Sequence, residues 1–278
     1  MNVVKIGGSA GVDLDAVCDD VAAARARGPL VLVHGCSHAA NLLQEALGQP
    51  PRFVTSPSGY ESRFTDRRAL EILVQAAGGV NAAIVERLQR RGVRAVGLSG
   101  LDGGLWKGPR KTAIRAVEGG RVRVLRDGYT GAVREVDASL LRPLLAAGCL
   151  PVLGPPALSD DGFAVNVDGD RAAAATAAAL GADTLAILSN VPGLLADVDD
   201  PASLVREIPA GDLDGATTFA KGRMRIKLLG AKEALAGGVR RVVLGDARVE
   251  RPITRALDGR GTAIVAEVEA GADAEGAR

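Results

Sequence analysis

The sequence predicts an α/β protein with a mainly parallel sheet. Two observations carry this: continuous apolar runs such as Leu30-Val31-Leu32-Val33, which suit strands buried on both faces, and a repeated order of strand, glycine-containing turn and helix. With 278 residues, 47% of them hydrophobic, the chain can build one large unit or two lobes.

The first strand, Val3 to Ile6, holds a lysine inside an apolar run and breaks into Gly7-Gly8-Ser9. A lysine is costly to bury alone, so Lys5 is expected at the strand's carboxyl end, facing an anion. The glycines let backbone approach closely, and the helix start beyond them offers free N–H groups. These seven residues alone equally suit a snorkelling lysine before an ordinary tight turn.

An amphipathic helix from Asp13 to Ala26 leads through Gly28-Pro29 into the second strand, which completes a crossover unit. His34-Gly35-Cys36-Ser37-His38 follows and opens a helix. Two histidines and a cysteine are ligand types, but at alternate positions in a tight turn they do not converge on one ion, so no metal site is expected and the turn is read as a source of backbone donors.

The loop from Ser56 to Asp66 ends in helix-capping residues. Arg63 within it can clamp a carboxylate bidentately or pair with Glu61 or Asp66. Leu70, Leu73, Val74 and Ala77 mark a helix, and a further helix runs from Val80 to Arg91 before a strand from Ala95 to Leu98.

From Leu105 to Val136, short alternating stretches broken by glycines read as antiparallel hairpins. Between Lys107 and Arg134 they carry eight basic residues against Glu118 and Asp127, a local charge of +6 in a chain whose net charge is +1. Such a patch suits an acidic partner or a solvated hairpin face. A helix from Ser139 to Ala146 and a strand from Leu150 to Leu153 return to the parallel pattern, and Pro155-Pro156 is the expected lobe boundary.

A hairpin about Asp160-Asp161-Gly162 delivers Asn166-Val167-Asp168-Gly169-Asp170 into an alanine-rich helix, which either Asp168 or Asp170 can cap. The strand from Thr184 to Leu188 ends in Ser189-Asn190-Val191-Pro192-Gly193-Leu194, where nucleotides bind in open parallel sheets. Residues 196–220 read as an irregular surface connection. A helix beginning at Lys221-Gly222-Arg223-Met224-Arg225-Ile226-Lys227, strands at Val242 to Leu244 and Thr262 to Val265 with a short helix between them, and a disordered acidic tail complete the chain.

No run of apolar residues is read as a membrane span and no signal peptide precedes the first strand, so the protein is expected to be cytoplasmic, without a membrane partner. Three well-separated cysteines suit reduced thiols. A near-neutral chain gives no overall case for nucleic acid. There is neither a P-loop nor a dinucleotide fingerprint. Two lysines, glycine turns after parallel strands and an organising carboxylate instead supply what phosphoryl transfer needs.

Val-Lys-Ile-Gly-Gly-Ser, Val-His-Gly, Asn-Val-Asp-Gly-Asp, Leu-Ser-Asn-Val-Pro-Gly-Leu and Gly-Arg-Met-x-x-Lys stand in the order found in the amino-acid kinase superfamily, and the chain resembles its acetylglutamate kinase branch from Val3 to Val265. The resemblance implies an open three-layer αβα sandwich with β-hairpin excursions, an N-terminal lobe (1–155) for the acyl substrate and dimerisation, a C-terminal lobe (156–266) for ATP, and assembly as a homodimer or larger. It implies that Lys5 and Lys227 stabilise the transferring phosphoryl group, that Asp170 holds the lysines, and that Gly8 and Gly35 donate backbone hydrogen bonds. Arg63 and Asn166 would grip the acyl substrate. Asn190, Gly193, Leu194, Lys221, Gly222 and Met224 would bind ATP, with Mg2+ held mainly by the nucleotide phosphates. Cys36 stands where relatives commonly carry glycine, beside the substrate. The loop around Arg63 and the segments Gly-Pro-Arg-Lys and Arg-Asp-Gly-Tyr-Thr-Gly look like kinases that phosphorylate aminoadipate or glutamate carried on a small acidic amino-group carrier protein; free acetylglutamate as acceptor, and a regulatory paralogue without turnover, are the alternatives.

Overall fold

A computed structural model of the chain describes residues 1–57, 59 and 61–266. The expected acidic tail, from residue 267, lies outside them.

In chain order the elements are β1 (Asn2–Ile6), α1 (Leu14–Arg25), β2 (Leu30–His34), α2 (Ser37–Ala46), β3 (Phe53–Thr55), β4 (Glu61–Arg63), α3 (Arg67–Arg90) and β5 (Ala95–Gly100). There follow β6 (Trp106–Gly108), β7 (Arg110–Glu118), β8 (Arg121–Gly131), β9 (Glu135–Val136), α4 (Leu141–Ala146), β10 (Leu150–Ser159), β11 (Ala164–Val165), α5 (Gly169–Leu180) and β12 (Thr184–Ser189). The chain closes with β13 (Glu207–Pro209), α6 (Leu213–Phe219), α7 (Arg223–Ala236), β14 (Arg241–Asp246), α8 (Pro252–Leu257) and β15 (Thr262–Val265).

One eleven-stranded sheet forms the spine, in the order β13-β15-β14-β12-β1-β2-β10-β6-β9, with β5 and β11 also paired to β10. β1 sits centrally and parallel to both neighbours, Lys5 lying beside Ile187 of β12 and Val33 of β2. Strand alternation divides the core. Val3, Val33 and Ile187 pack with α5 and α7, whereas Val4, Ile6, Leu32 and Leu188 pack with α1, α3 and α8. This is the three-layer αβα sandwich, and the two-residue period sends Lys5, like Val3, to the α5 face.

A second sheet, β4-β3-β7-β8, is antiparallel and realises the expected hairpins, with Gly119-Gly120 at the tip of β7 and β8.

Three expectations are corrected. The helices placed on either side of Gly78-Gly79 are one continuous α3 of 24 residues. By length and composition it has the character of a membrane span, which the split reading hides, but Ile72, Ile84 and Leu88 bury it in the core. Tertiary packing of this face outweighs the cost of two helical glycines, about 1 kcal/mol each. Residues 196–220 contain β13, parallel to β15, and α6. Pro155-Pro156, joined by a cis peptide bond, lies inside β10 rather than in a linker. The prolines fit because the ladder is interrupted there: β5 and β2 pair with β10 up to Gly154, and β11 and β6 pair with it from Ala157 onward.

Candidate active site

β1 delivers Lys5 at its carboxyl end, and α5 delivers Asp170 opposite it. Asp168 is the cap of α5: its Oδ1 accepts from the backbone N–H groups of Asp170 and Arg171, each at 3.0 Å. That settles the choice between the two aspartates and frees the Asp170 carboxylate. Lys5 Nζ lies 2.6 Å from Asp170 Oδ1, and Lys227 Nζ of α7 donates to Oδ2 at 3.0 Å. All three side chains are buried.

The helices are held so that this contact is made. Arg171 of α5 donates to both carboxylate oxygens of Glu233 on α7 at 2.6–3.0 Å, and a Cβ at Gly230 of α7 would stand 3.4 Å from the Asp170 backbone. Burial alone would raise the Asp170 carboxyl, but Lys5 and Lys227 outweigh it and hold it well below the usual carboxylate range. Burial, reinforced by the charge of Lys5, lowers Lys227 against the pull of Asp170. Burial and the neighbouring Asp170 raise Asp168. Two ammonium groups thus share one carboxylate, with the buried Asp168 also within their electrostatic reach.

Beside this trio the turns after β1 and β2 interlock. A Cβ at Gly8 would lie 2.4 Å from Gly35 carbonyl carbon and 2.5 Å from Cys36 N. The Gly8 carbonyl accepts from His38 N at 2.7 Å and Ser37 Oγ at 3.0 Å. Cys36 precedes α2 at φ −136°, an angle open to any residue, and its side chain packs on Leu73 and Ala77 of α3. Its thiol is turned into the core, and burial pushes it up to about 11. His34 is also buried. Its Nε2 faces Asn81 Nδ2 at 3.1 Å, and burial lowers it to about 4, so the ring is neutral.

Arg63 makes neither of the surface pairs considered from the sequence: Asp66 caps α3 through Ala69 N, and the Arg63 guanidinium reaches α2, bonding Gln44 Oε1, Asn41 Oδ1 and the Ser37 carbonyl. Asn166 Nδ2 donates to Thr65 Oγ1 at 3.2 Å, and its backbone joins Tyr129 and Gly131. Thus Thr65, Tyr129 and Asn166, far apart in sequence, form one wall.

In the loop after β12, Asn190 is exposed, while Gly193, at φ +154°, approaches Thr262 so closely that a Cβ would meet Thr262 Oγ1 at 2.5 Å. The Leu194 side chain is buried and its N–H donates to Thr262 Oγ1 at 2.8 Å, so this residue anchors the loop. Lys221 and Gly222 are exposed before α7, and Met224 is half-buried against the core. No described contact joins these residues to the charged trio.

Three participants are missing from the residue-by-residue expectations. Arg223 donates to Ser9 Oγ at 2.9 Å, and Thr65 supports Asn166. The spacing of Arg223 and Lys227, one helical turn, is the sequence signal that places both on one face.

A parallel sheet that ends in interlocked glycine turns beside two lysines sharing one buried aspartate defines a phosphoryl-transfer enzyme of αβα architecture. The profile of the amino acid kinase family matches residues 1–246, and the chain belongs to that family; it is an ATP-dependent kinase. It is 59% identical over 266 residues to a LysW-aminoadipate kinase of Deinococcus radiodurans, covering 95% of this chain and 91% of that one. It is 54% identical to the LysW-aminoadipate kinase of Thermus thermophilus, covering 95% and 100%. An acetylglutamate kinase of Methanopyrus kandleri is 37% identical over 95% and 100%. Among solved structures, N-acetylglutamate synthase from Neisseria gonorrhoeae superposes with a TM-score of 0.78 at 27% identity, over 96% of this chain and 59% of that longer one.

Proposed function

We propose that this chain transfers the γ-phosphoryl group of ATP to the side-chain carboxylate of 2-aminoadipate, or of glutamate, whose amino group is linked to a small acidic carrier protein. A carboxylate oxygen forms the new bond to γ-phosphorus as the bond to the β,γ-bridging oxygen breaks. ADP departs with that electron pair, an acyl phosphate results, and no proton need move.

The observation that carries the chemistry is the Lys5–Asp170–Lys227 trio. Asp170 spaces the two ammonium groups, whose charge offsets that of the transferring phosphoryl group. Gly8 and Gly35 bring two backbone turns to the same place. Arg63, from the N-terminal lobe (1–155), and Asn166, just beyond it, bind the acceptor. Asn190, Gly193 and Leu194 together with Lys221, Gly222 and Met224, in the C-terminal lobe (156–266), bind the nucleotide. Both Asp170 oxygens face lysines and Asp168 Oδ1 is engaged as a cap. Magnesium therefore enters on the nucleotide phosphates. The enzyme works in the cytoplasm as a homodimer or larger assembly.

The names of the two relatives at 59% and 54% identity and the basic β7–β8 hairpin favour the carrier-linked acceptor. The 37% identical acetylglutamate kinase keeps the free acetylated acceptor as the second reading. Measuring kcat/KM on carrier-linked aminoadipate, carrier-linked glutamate and their free acetylated counterparts tests this: the carrier-linked acceptors should lead by at least ~100-fold, a gap that docking on a complementary surface supplies. Equal values would return the function to the free amino acid.

A further inference from the structure

Arg223 stands at the first turn of α7, four residues before Lys227, so the two cations share one helix face. Its Nη1 donates to Ser9 Oγ at 2.9 Å, and Ser9 lies four residues beyond Lys5 on the loop that carries Gly8. The contacts therefore close a ring: Lys5 to Asp170, Asp170 to Lys227, one turn of α7 to Arg223, Arg223 to Ser9, and back along the loop to Lys5. On the phosphoryl-transfer reading, the ring frames the place where the group transfers.

The charges around it do not balance. Within the trio one aspartate answers two lysines, and Asp168 is the further acidic group within their reach, against Lys5, Lys227, Arg223 and Arg63. The described partner of Arg223 is a neutral hydroxyl, and those of Arg63 are the neutral oxygens of Gln44, Asn41 and Ser37. The two guanidinium groups also feel each other: after burial, the charge of Arg223 contributes to lowering Arg63. Two cations that repel, each with neutral acceptors as its described hydrogen-bond partners, are relieved when an anion enters between them.

Resting on the phosphoryl-transfer reading, we propose that Arg223 is a further catalytic residue, which leaves Ser9 to bind the acceptor's attacking carboxylate between Arg63 and Lys227. A carboxylate that attacks a polyanionic phosphoryl group must approach like charge, and a planar guanidinium at the meeting point offsets that repulsion while orienting the oxygen.

The test compares wild type with Arg223→Ala, Arg223→Lys and, as a surface control on the same helix, Lys232→Ala, whose partner is the exposed Asp214. Arg223→Ala should lower kcat/KM for the acceptor by ~100-fold while the Kd of a non-hydrolysable ATP analogue changes by less than about threefold, and added guanidinium ion should restore part of the activity. Arg223→Lys should recover only part, and Lys232→Ala should match wild type. Arg223→Ala activity within about threefold of wild type, or a loss that follows weakened nucleotide binding without guanidinium rescue, would overturn the assignment. A second measurement reads the site without turnover: N-acetyl-2-aminoadipate added with the ATP analogue should raise the Tm of wild type but not of Arg223→Ala. If the wild type phosphorylates no acceptor, the proposed reaction fails and this shift alone decides. Its loss in Arg223→Ala sustains the anion site, and an equal shift in both proteins, or none in wild type, removes it.

Discussion

Lys5 and Lys227 divide one carboxylate between them, and a charge aimed at the transferring group matters most when negative charge is redistributed in the transition state. Lys5→Ala and Lys227→Ala should each lower kcat by ~100-fold or more with smaller changes in KM, measured by steady-state kinetics. Lys227 also carries a pH signature. Burial holds it below its ordinary value of 10.5, and its protonated form is the useful one, so kcat should fall on an alkaline limb whose midpoint lies below 10.5. Residual activity of Lys227→Arg should lack that limb. His34 acts on stability instead. Its folded value is about 4 against an ordinary 6.5, so between those values the unfolded chain binds a proton that the folded one does not, and stability falls as pH drops through that window. The span corresponds to about 3 kcal/mol, and His34→Gln should flatten the decline in urea midpoints between pH 6.5 and 4. Asp170 works in a separate window: its depressed carboxyl contributes stability that is present above the usual carboxylate value of about 3.9 and is lost only as pH falls below it.

Among the elements, α3 shows why some boundaries were legible in the sequence and others were not. Its apolar face was plain from Leu70, Leu73 and Ala77, but Gly78-Gly79 reads as a break because local propensity knows nothing of the core beneath. A Cβ at either glycine meets nothing within 4 Å, so Gly78→Ala and Gly79→Ala should each stabilise by roughly 1 kcal/mol and raise Tm by about 2–4 °C, seen by thermal denaturation. A lowered Tm would instead reveal a neighbour packed on that face, such as a second copy of the chain. β13 is hidden in the sequence for the opposite reason: a strand of three residues has almost no periodicity, and only its pairing with β15 defines it. The site followed the same division. Lys5, Asp170 and Lys227 sit at motif positions and were legible, and the capping choice between Asp168 and Asp170 needed the direction of two backbone N–H groups. Thr65 becomes visible only through its partner Asn166, distant in sequence, whereas Arg223 has a sequence signal in its one-turn spacing from Lys227 but shows its partner Ser9 only in the fold.

At the scale of the whole molecule, the charge count between Lys107 and Arg134 resolves into bound and free cations. Arg110 is held between the rings of Tyr129 and Phe163, at 4.0 and 5.0 Å, and donates to the Gly128 carbonyl, while Arg134 pairs with Asp160 and Glu135. Arg110 is thereby enclosed, and Arg134 is exposed but already paired. Lys111, Arg115, Arg121, Arg123 and Arg126 are exposed on the β7–β8 hairpin. The hairpin packs one face, through Ile114, Ala116 and Leu125, on Val54 and Phe64, and leaves Val117, Val122 and Val124 open beside Arg115 and Arg126 on the other. A basic surface with an apolar centre is suited to an acidic protein carrier and unnecessary for a free amino acid. Replacing Arg115, Arg121, Arg123 and Arg126 by glutamate should therefore cripple kcat/KM for the carrier-linked acceptor and spare the free acetylated one, since none of these residues belongs to the cleft. For wild type, KM for the carrier should rise with salt, because attraction between exposed charges is screened beyond roughly 10 Å at 0.1 M. Equal losses on both acceptors would make the hairpin a support for the fold, and a carrier KM indifferent to salt would leave steering by charge without a role.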